Sequence, residues 1–202
     1  ESSLQKILNI DSKHAPALAY MGKLAADSEN YLRATKYVTE AIKYDSTNYD
    51  YYLDLGTYYR YQGKYSEATK AWNKAVELDP TYFLAYAYLA GSYDEQSEFT
   101  KALENYHKVI ETNPKYFYAY ESTAILEYHL GNWTASRKYF AEAYKYSQSV
   151  SYPLMIAATY IKEKNTLKAK EYLKPLLKTL DKESLDYAMV RFFYDNYSVN
   201  AE

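Results

Sequence analysis

Residues 55–80 read LGTYYRYQGKYSEATKAWNKAVELDP, a stretch that combines tyrosines, two glycines, three spaced alanines and a terminal proline. Apolar residues recur here at intervals of three and four, as they do through most of the chain, and this period is typical of amphipathic helices. The 202 residues include only five glycines and five prolines, so few elements are interrupted. No segment has the alternation expected of a strand, and the sequence predicts an all-α protein.

The stretch is one copy of a repeat that is 34 residues long. With Tyr49 as position 1, its characteristic residues are Tyr52 at position 4, Leu55 at 7, Gly56 at 8, Tyr59 at 11, Gly63 at 15, Tyr65 at 17, Ala68 at 20, Trp72 at 24, Ala75 at 27 and Pro80 at 32. Residues of similar size occupy most of these positions in copies that begin at Ala15 and Phe83. A fourth copy begins at Phe117, with Glu127 in place of the aromatic residue at position 11, and a divergent fifth begins near Val150.

This pattern of large and small residues resembles the tetratricopeptide repeat (TPR), which has a period of about 34 residues. The resemblance covers residues 15–180 and implies a right-handed superhelical solenoid of antiparallel helix pairs. Small residues at positions 8, 20 and 27 would let helices approach closely, while large residues at 4, 7, 11, 17 and 24 interlock. Gly63 and Gly131 are expected to end the first helix of their pairs in the left-handed conformation, and Pro80 and Pro114 to stop the second helix.

The same register predicts five helix pairs with additional helices at both ends. Residues 1–14 are predicted to be the second helix of a preceding repeat, 15–48, 49–82, 83–116 and 117–149 the first four repeats, 150–183 a divergent fifth, and 184–202 a capping helix and tail. The apolar residues of the last helix would cap the array or begin a sixth repeat. A sequence that begins inside a repeat also indicates a fragment of a longer protein.

The composition argues against several kinds of chemical site. Cysteine is absent, which rules out disulfides, thiolate zinc sites and thiol nucleophiles. The histidines, His14, His107 and His129, have no i, i+4 spacing for a metal, and no phosphate-binding glycine loop is present. We therefore predict a protein that is not an enzyme and that has no cofactor and no metal site. The sequons that begin at Asn132 and Asn196 are interpreted as chance matches.

Charge and hydropathy constrain the partners and the location. A net charge of −2 gives no general electrostatic case for binding nucleic acid or an anionic membrane. No apolar run is long enough to span a bilayer, and no signal peptide is visible. The sequence thus predicts a soluble protein whose localisation stays unknown.

The TPR resemblance also implies where a partner would bind. In this family the concave surface is lined chiefly by positions 2, 5, 6, 9, 12 and 13 of the first helices. Tyrosines and acids at such positions are expected to face outward and to bind a partner: Tyr20, Asp50, Asp54, Tyr61, Tyr88, Asp94, Glu95, Tyr118, Glu121, Tyr128 and His129. Tyrosine offers a large contact area with a polar tip, which suits protein recognition, and acids repel phosphate, which disfavours nucleic acid. The alternative is that the tyrosines only reflect a compositional bias of the source.

The resulting hypothesis is a protein-interaction scaffold whose groove binds a protein or peptide with basic and apolar side chains, without insertion into a membrane. Co-chaperone TPR domains bind a C-terminal carboxylate with Lys, Asn and Arg at fixed repeat positions. This sequence does not supply that set of residues, whichever of the first three repeats is aligned first. Two alternatives stay open: a regulatory or targeting region of a larger enzyme, and an adaptor that self-associates through the solenoid ends. Residues 162–182 carry seven Lys and three acids, which indicates a solvated helix face or a docking patch for an acidic partner.

Overall fold

The computed structural model describes residues 2–196, and these residues form helices and turns with no strand among them. The described residues divide into two compact units between Thr112 and Asn113. The first unit contains α1 (Ser2–Ile10), α2 (Ala15–Asp27), α3 (Tyr31–Tyr44), α4 (Tyr49–Tyr61), α5 (Tyr65–Leu78), α6 (Phe83–Glu95) and α7 (Phe99–Thr112). The second contains α8 (Phe117–His129), α9 (Trp133–Ser147), α10 (Ser151–Lys162), α11 (Thr166–Leu173), α12 (Leu176–Thr179) and α13 (Leu185–Asn196). Glu1, the predicted tail at 197–202 and the end of the Asn196 sequon lie outside the described residues.

Helices pack in consecutive pairs, and the first helix of every pair ends in the same turn. The residue at position 15 has a positive φ in all five pairs, at Glu29, Gly63, Ser97, Gly131 and Lys164. In each turn the next backbone N–H donates to the carbonyl five residues earlier, as from Lys64 to Tyr59 at 2.9 Å, which is the Schellman arrangement of a helix end. The expectation for Gly63 and Gly131 is confirmed, with φ of +72° and +81°.

The core of the first unit follows the predicted alternation of small and large side chains. Ala68 and Ala75 on α5 are fully buried, and so is Trp72 between them. The Trp72 indole lies against the bare backbone of Gly56 on α4, and its Nε1–H donates to the carbonyl oxygen of Leu53 at 3.2 Å. The glycine at position 8 thus leaves room for a buried indole whose N–H has a hydrogen-bond partner.

The second unit shows how the fourth repeat tolerates its departure from the pattern. Glu127, which replaces an aromatic residue, is buried at 9% exposure, and its carboxylate accepts a hydrogen bond of 2.6 Å from the Asn132 side chain in the following turn. Ser136 takes the place of the alanine at position 20, and its hydroxyl donates to the carbonyl of Ala124 at 2.8 Å. Both buried polar groups therefore have partners, as stability requires.

The large residues at position 17 are less buried than the predicted interlocking of side chains requires. Tyr65 and Phe99 are 42% and 37% exposed. The reason is their place in the fold, because α5 and α7 begin at these residues and a first-turn side chain lies at the edge of the helix contact.

The last described helices are less regular than the earlier pairs. Pro175 separates α11 from α12, since proline lacks the N–H that an uninterrupted helix would need there. Helix α13 then packs on the second unit through Val190, which is fully buried together with Leu173 of α11. Phe193 and Tyr194 of α13 are partly buried in the same cluster.

Candidate functional site

In the first unit, the first helices α2, α4 and α6 contact one another in sequence. Two ion pairs cross between them at the predicted partner-binding positions. Lys23 on α2 lies 3.4 Å from the Asp54 carboxylate on α4, and Arg60 on α4 pairs with Glu95 on α6 through two of its nitrogens. The structure therefore brings residues of three successive repeats together on one surface. We name this surface the first-unit face and define it by seven residues: Tyr20, Asp50, Asp54, Tyr61, Tyr88, Asp94 and Glu95.

The three tyrosines of the first-unit face are accessible, with Tyr20 and Tyr61 each 59% exposed and Tyr88 37% exposed. Two of them are held by other rings. Tyr61 stacks on Tyr31 with centroids 4.6 Å apart, and Tyr88 stacks on the buried Trp72 with centroids 5.5 Å apart. Such rings offer contact area at little cost in conformational entropy, because their side chains are already positioned.

The acids of the first-unit face differ in their surroundings. Asp50 accepts a hydrogen bond of 2.7 Å from the Tyr82 hydroxyl. Asp94 has no ion pair among residues 2–196. Asp54 departs from the expectation that it faces outward, because only 20% of its side chain is exposed and its Oδ2 atom is buried without a hydrogen bond. Burial raises the pKa of Asp54, while the nearby Lys23 ammonium opposes that shift. The neighbouring Tyr58 hydroxyl also has a raised pKa, first from burial and then from the Asp54 charge.

The four predicted residues of the second unit all lie on α8. Tyr118 is 54% exposed with its ring centroid 4.1 Å from that of Phe117. Tyr128 packs edge-on against Trp133 at 5.1 Å, His129 is exposed and Glu121 is half-buried. These residues belong to the second unit, and we describe them separately from the first-unit face.

Sequence reasoning missed an apolar surface on the later helices of this unit. Tyr128, Ala158, Ile161, Lys162 and Phe193 line one cavity of about 190 Å³, so that α8, α10 and α13 converge there. The signal was available, because Ala158, Ile161 and Lys162 stand at positions 9, 12 and 13 of the fifth repeat. Counting the same positions onward would have found them.

Among the described residues, no cluster of three or more His, Asp or Glu side chains could hold a metal ion. His14 instead caps α2, where its Nδ1 accepts a hydrogen bond of 3.1 Å from the Ala17 backbone N–H. Within the part of the chain that the structure describes, no helix combines the length and apolar character needed to cross a bilayer.

Comparisons with known families identify the repeats. Residues 56–97 match the family described as TPR repeat, and residues 88–150 match the family described as tetratricopeptide repeat. The chain therefore contains tetratricopeptide repeats. A search of curated protein sequences gave no significant match.

Solved TPR structures resemble this chain over most of its length. A crystal structure of MamA is 27% identical, with a TM-score of 0.67, over 72% of this chain and 85% of MamA. YrrB, described as a TPR protein with an unusual peptide-binding site, is 17% identical with a TM-score of 0.71 over 94% of this chain and 97% of its own. PilF of Pseudomonas aeruginosa is 21% identical with a TM-score of 0.72 over 94% of this chain and 86% of its own.

These similarities show the all-helical TPR solenoid fold. TPR arrays are in general non-catalytic scaffolds for protein interaction, and membership of the family supports that general role here.

Proposed function

We propose that the chain is a non-catalytic scaffold whose first-unit face binds a protein segment with basic and apolar side chains. The observation that carries this proposal is the set of exposed, ring-stacked tyrosines on helices that two ion pairs hold side by side. A bound segment, extended or helical, would contact Tyr61 and Tyr88 through apolar side chains. Preorganised aromatic rings are common anchors in such interfaces.

The charge of the surface supports the choice of partner. The predicted partner-facing positions of α2, α4 and α6 hold five carboxylates and two cations, and the two cations are already paired with Asp54 and Glu95. The remaining acids attract basic side chains and repel phosphate groups, which supports a protein partner over nucleic acid. The surface also lacks the residue set with which co-chaperone TPR domains bind a C-terminal carboxylate. Asp54 occupies position 6, where the middle repeat of that set has an asparagine.

A displayed library of random peptides, selected on the intact chain, tests this proposal. We expect the recovered peptides to combine Lys or Arg with Leu, Ile or Phe. Fluorescence anisotropy with a recovered peptide should show that Tyr88→Ala weakens binding by about 1 kcal/mol or more. Asp94→Lys should slow association most strongly at low salt, since charges at the rim of an interface act mainly on encounter.

Matched variants on second helices control for general effects. Tyr44 on α3 is also 37% exposed, so Tyr44→Ala removes a ring of equal accessibility from a different surface. Glu104→Lys makes a comparable charge change on α7, where Glu104 is exposed. Affinity that is undiminished by both Tyr88→Ala and Asp94→Lys, or reduced equally by the controls, would end the proposal for the first-unit face.

A further inference from the structure

Helix α13 is apolar on both of its faces. Val190, Phe193 and Tyr194 pack inward, while Leu185, Met189 and Phe192 are 75%, 42% and 68% exposed. The three exposed residues follow the spacing i, i+4, i+7 and therefore form one stripe along the helix. We name them the α13 stripe. Exposed apolar side chains that form a continuous stripe mark a candidate contact surface, and the α13 stripe is one.

The α13 stripe continues into the cavity at the junction of α8, α10 and α13. Phe193 lines that cavity with Tyr128, Ala158 and Ile161, and Met189 lies one helical turn before Phe193 on the same side of α13. The cavity of about 190 Å³ is large enough to receive an apolar side chain from a partner. A stripe beside a cavity fits a protruding ridge of side chains, such as one face of an amphipathic helix.

The charged side chain that lines the cavity is basic, while α13 itself carries Asp186 and an Asp195 that pairs with Arg191. Lys162 lines the cavity itself, and the Lys170 ammonium lies 5.4 Å from the centroid of the Tyr194 ring on α13. Glu163, the acid next to Lys162, is neutralised by Arg137 through hydrogen bonds of 2.9 and 3.0 Å. Seven lysines of this region form no ion pair within residues 2–196: Lys162, Lys164, Lys168, Lys170, Lys174, Lys178 and Lys182.

Some lysines elsewhere in the chain are paired, whereas others, such as Lys36, Lys70 and Lys115, form no ion pair within residues 2–196. On the second helices of the earlier repeats, Lys43, Lys74, Lys108 and Lys145 each pair with a glutamate three residues away. The unpaired Lys162, which lines the cavity that adjoins the α13 stripe, complements a segment that carries acids next to apolar residues.

We propose that the second unit binds an acidic amphipathic protein segment through the α13 stripe, the adjoining cavity and Lys162. This inference rests on the proposed role as a protein-binding scaffold and adds a second partner of opposite charge at a different surface. A protein segment is favoured over an anionic membrane because a bilayer presents no protruding side chain to fill the cavity.

The test is a displayed library of 16-residue peptides with Leu, Ile, Met or Phe at four positions spaced i, i+3, i+4 and i+7. The flanking positions vary among Glu, Lys, Gln and Ser. Selection on the intact chain should enrich Glu at the flanking positions, and selection on Lys162→Glu should abolish or reverse that enrichment. In fluorescence anisotropy with an enriched peptide, Phe192→Ser should weaken binding at least about tenfold.

Matched controls and rival occupants complete the design. Leu32 on α3 is 65% exposed, so Leu32→Ser controls for Phe192→Ser, and Lys138→Glu on α9 controls for Lys162→Glu. Tyr88→Ala should leave this binding unchanged, which separates failure here from failure of the first-unit face. Enrichment of Lys, no enrichment, or equal effects of the controls would overturn the proposal. So would binding to phosphatidylserine vesicles without peptide binding, or a dimer in light scattering that Phe192→Ser dissociates.

Discussion

Gly56 offers a sharp test of how the helices pack, because its missing side chain leaves the space that Trp72 fills. A Cβ atom added at Gly56 would lie 2.4 Å from Nε1, 2.5 Å from Cδ1 and 2.8 Å from Cε2 of the indole. The ring has little freedom to yield. It is fully buried, it donates a hydrogen bond to Leu53, and Tyr88 stacks against it. We therefore predict that Gly56→Ala destabilises the protein, although alanine is the better helix former.

The magnitude follows from two opposing contributions. Replacing a glycine within a helix by alanine stabilises by about 0.5–1 kcal/mol when nothing else changes. Overpacking a close contact costs about 1–3 kcal/mol, and a clash with a buried ring belongs to the upper part of that range. The net expectation for Gly56→Ala is a loss of about 1–2 kcal/mol. Gly91, in the middle of α6, is the matched control, because a Cβ there would meet no atom within 4 Å. Gly91→Ala should therefore stabilise by about 0.5–1 kcal/mol.

Urea denaturation of the intact chain measures both variants. Far-ultraviolet circular dichroism reports the helices, and tryptophan fluorescence reports the indole of Trp72 in the first unit and that of Trp133 in the second. The two substitutions are chemically identical, yet their effects should differ in sign. If Gly56→Ala is as stable as the wild type, or if both variants shift the midpoint in the same direction, the contact between α4 and Trp72 is not as described and the reasoning fails.

Three further predictions address other parts of the structure. Glu29 and Ser97 have φ of +57° and +61°, a conformation that favours glycine, so Glu29→Gly and Ser97→Gly should each stabilise the protein by about 0.5–1 kcal/mol. Gly63→Ala should destabilise it for the same reason. The direction of the shift in the urea midpoint tests each variant. Ala68→Leu and Ala102→Leu, at fully buried positions, should each lower the free energy of unfolding by about 1–3 kcal/mol. The surface variant Lys74→Ala should stay within about 0.5 kcal/mol of the wild type. Equal stability of all three variants would refute the assignment of repeat positions. Burial raises the folded-state pKa of Asp54, so the contribution of this group to stability is present below its unfolded pKa and is lost as pH rises through its folded pKa. The stability of the wild type relative to Asp54→Asn should therefore fall as pH rises from about 4. Urea titrations at a series of pH values measure this difference, and a difference that does not change with pH would contradict the prediction.

The helical architecture was predictable because the residues that pack recur at fixed positions. Trp72 and Phe140, at position 24 of two repeats, are almost completely buried, as the pattern predicts. The turns were only partly predictable. Gly63 and Gly131 mark the left-handed residue by their identity, but Glu29, Ser97 and Lys164 adopt the same conformation without a glycine to announce it.

The partner-binding surfaces were harder to predict, since the helix position of a side chain does not determine its contacts. Asp54 occupies a predicted surface position, yet its carboxylate is largely buried beside Lys23, a residue from the preceding repeat. The α13 stripe was missed for a different reason. The apolar residues of 184–196 lie outside the repeats, and the sequence predicts only that they cap the array. The packing of Val190 is needed to show which of them face outward.

A comparison of two positions shows why the fold and the partner are encoded differently. Position 8 meets the second helix of its own pair, and its occupants are all small: Gly22, Gly56, Ala90, Ala124 and Ala157. Position 2 faces away from that contact, and its occupants share no property: Pro16, Asp50, Leu84, Tyr118 and Ser151. Packing imposes the same requirement on every repeat, whereas a bound segment presents a different side chain to each one. The residues in which one repeat differs from the next are therefore the place to look for specificity. By that criterion the carboxylates of α4 and α6, together with the apolar residues and Lys162 of α10, are where substitutions should change the partner and leave the fold intact.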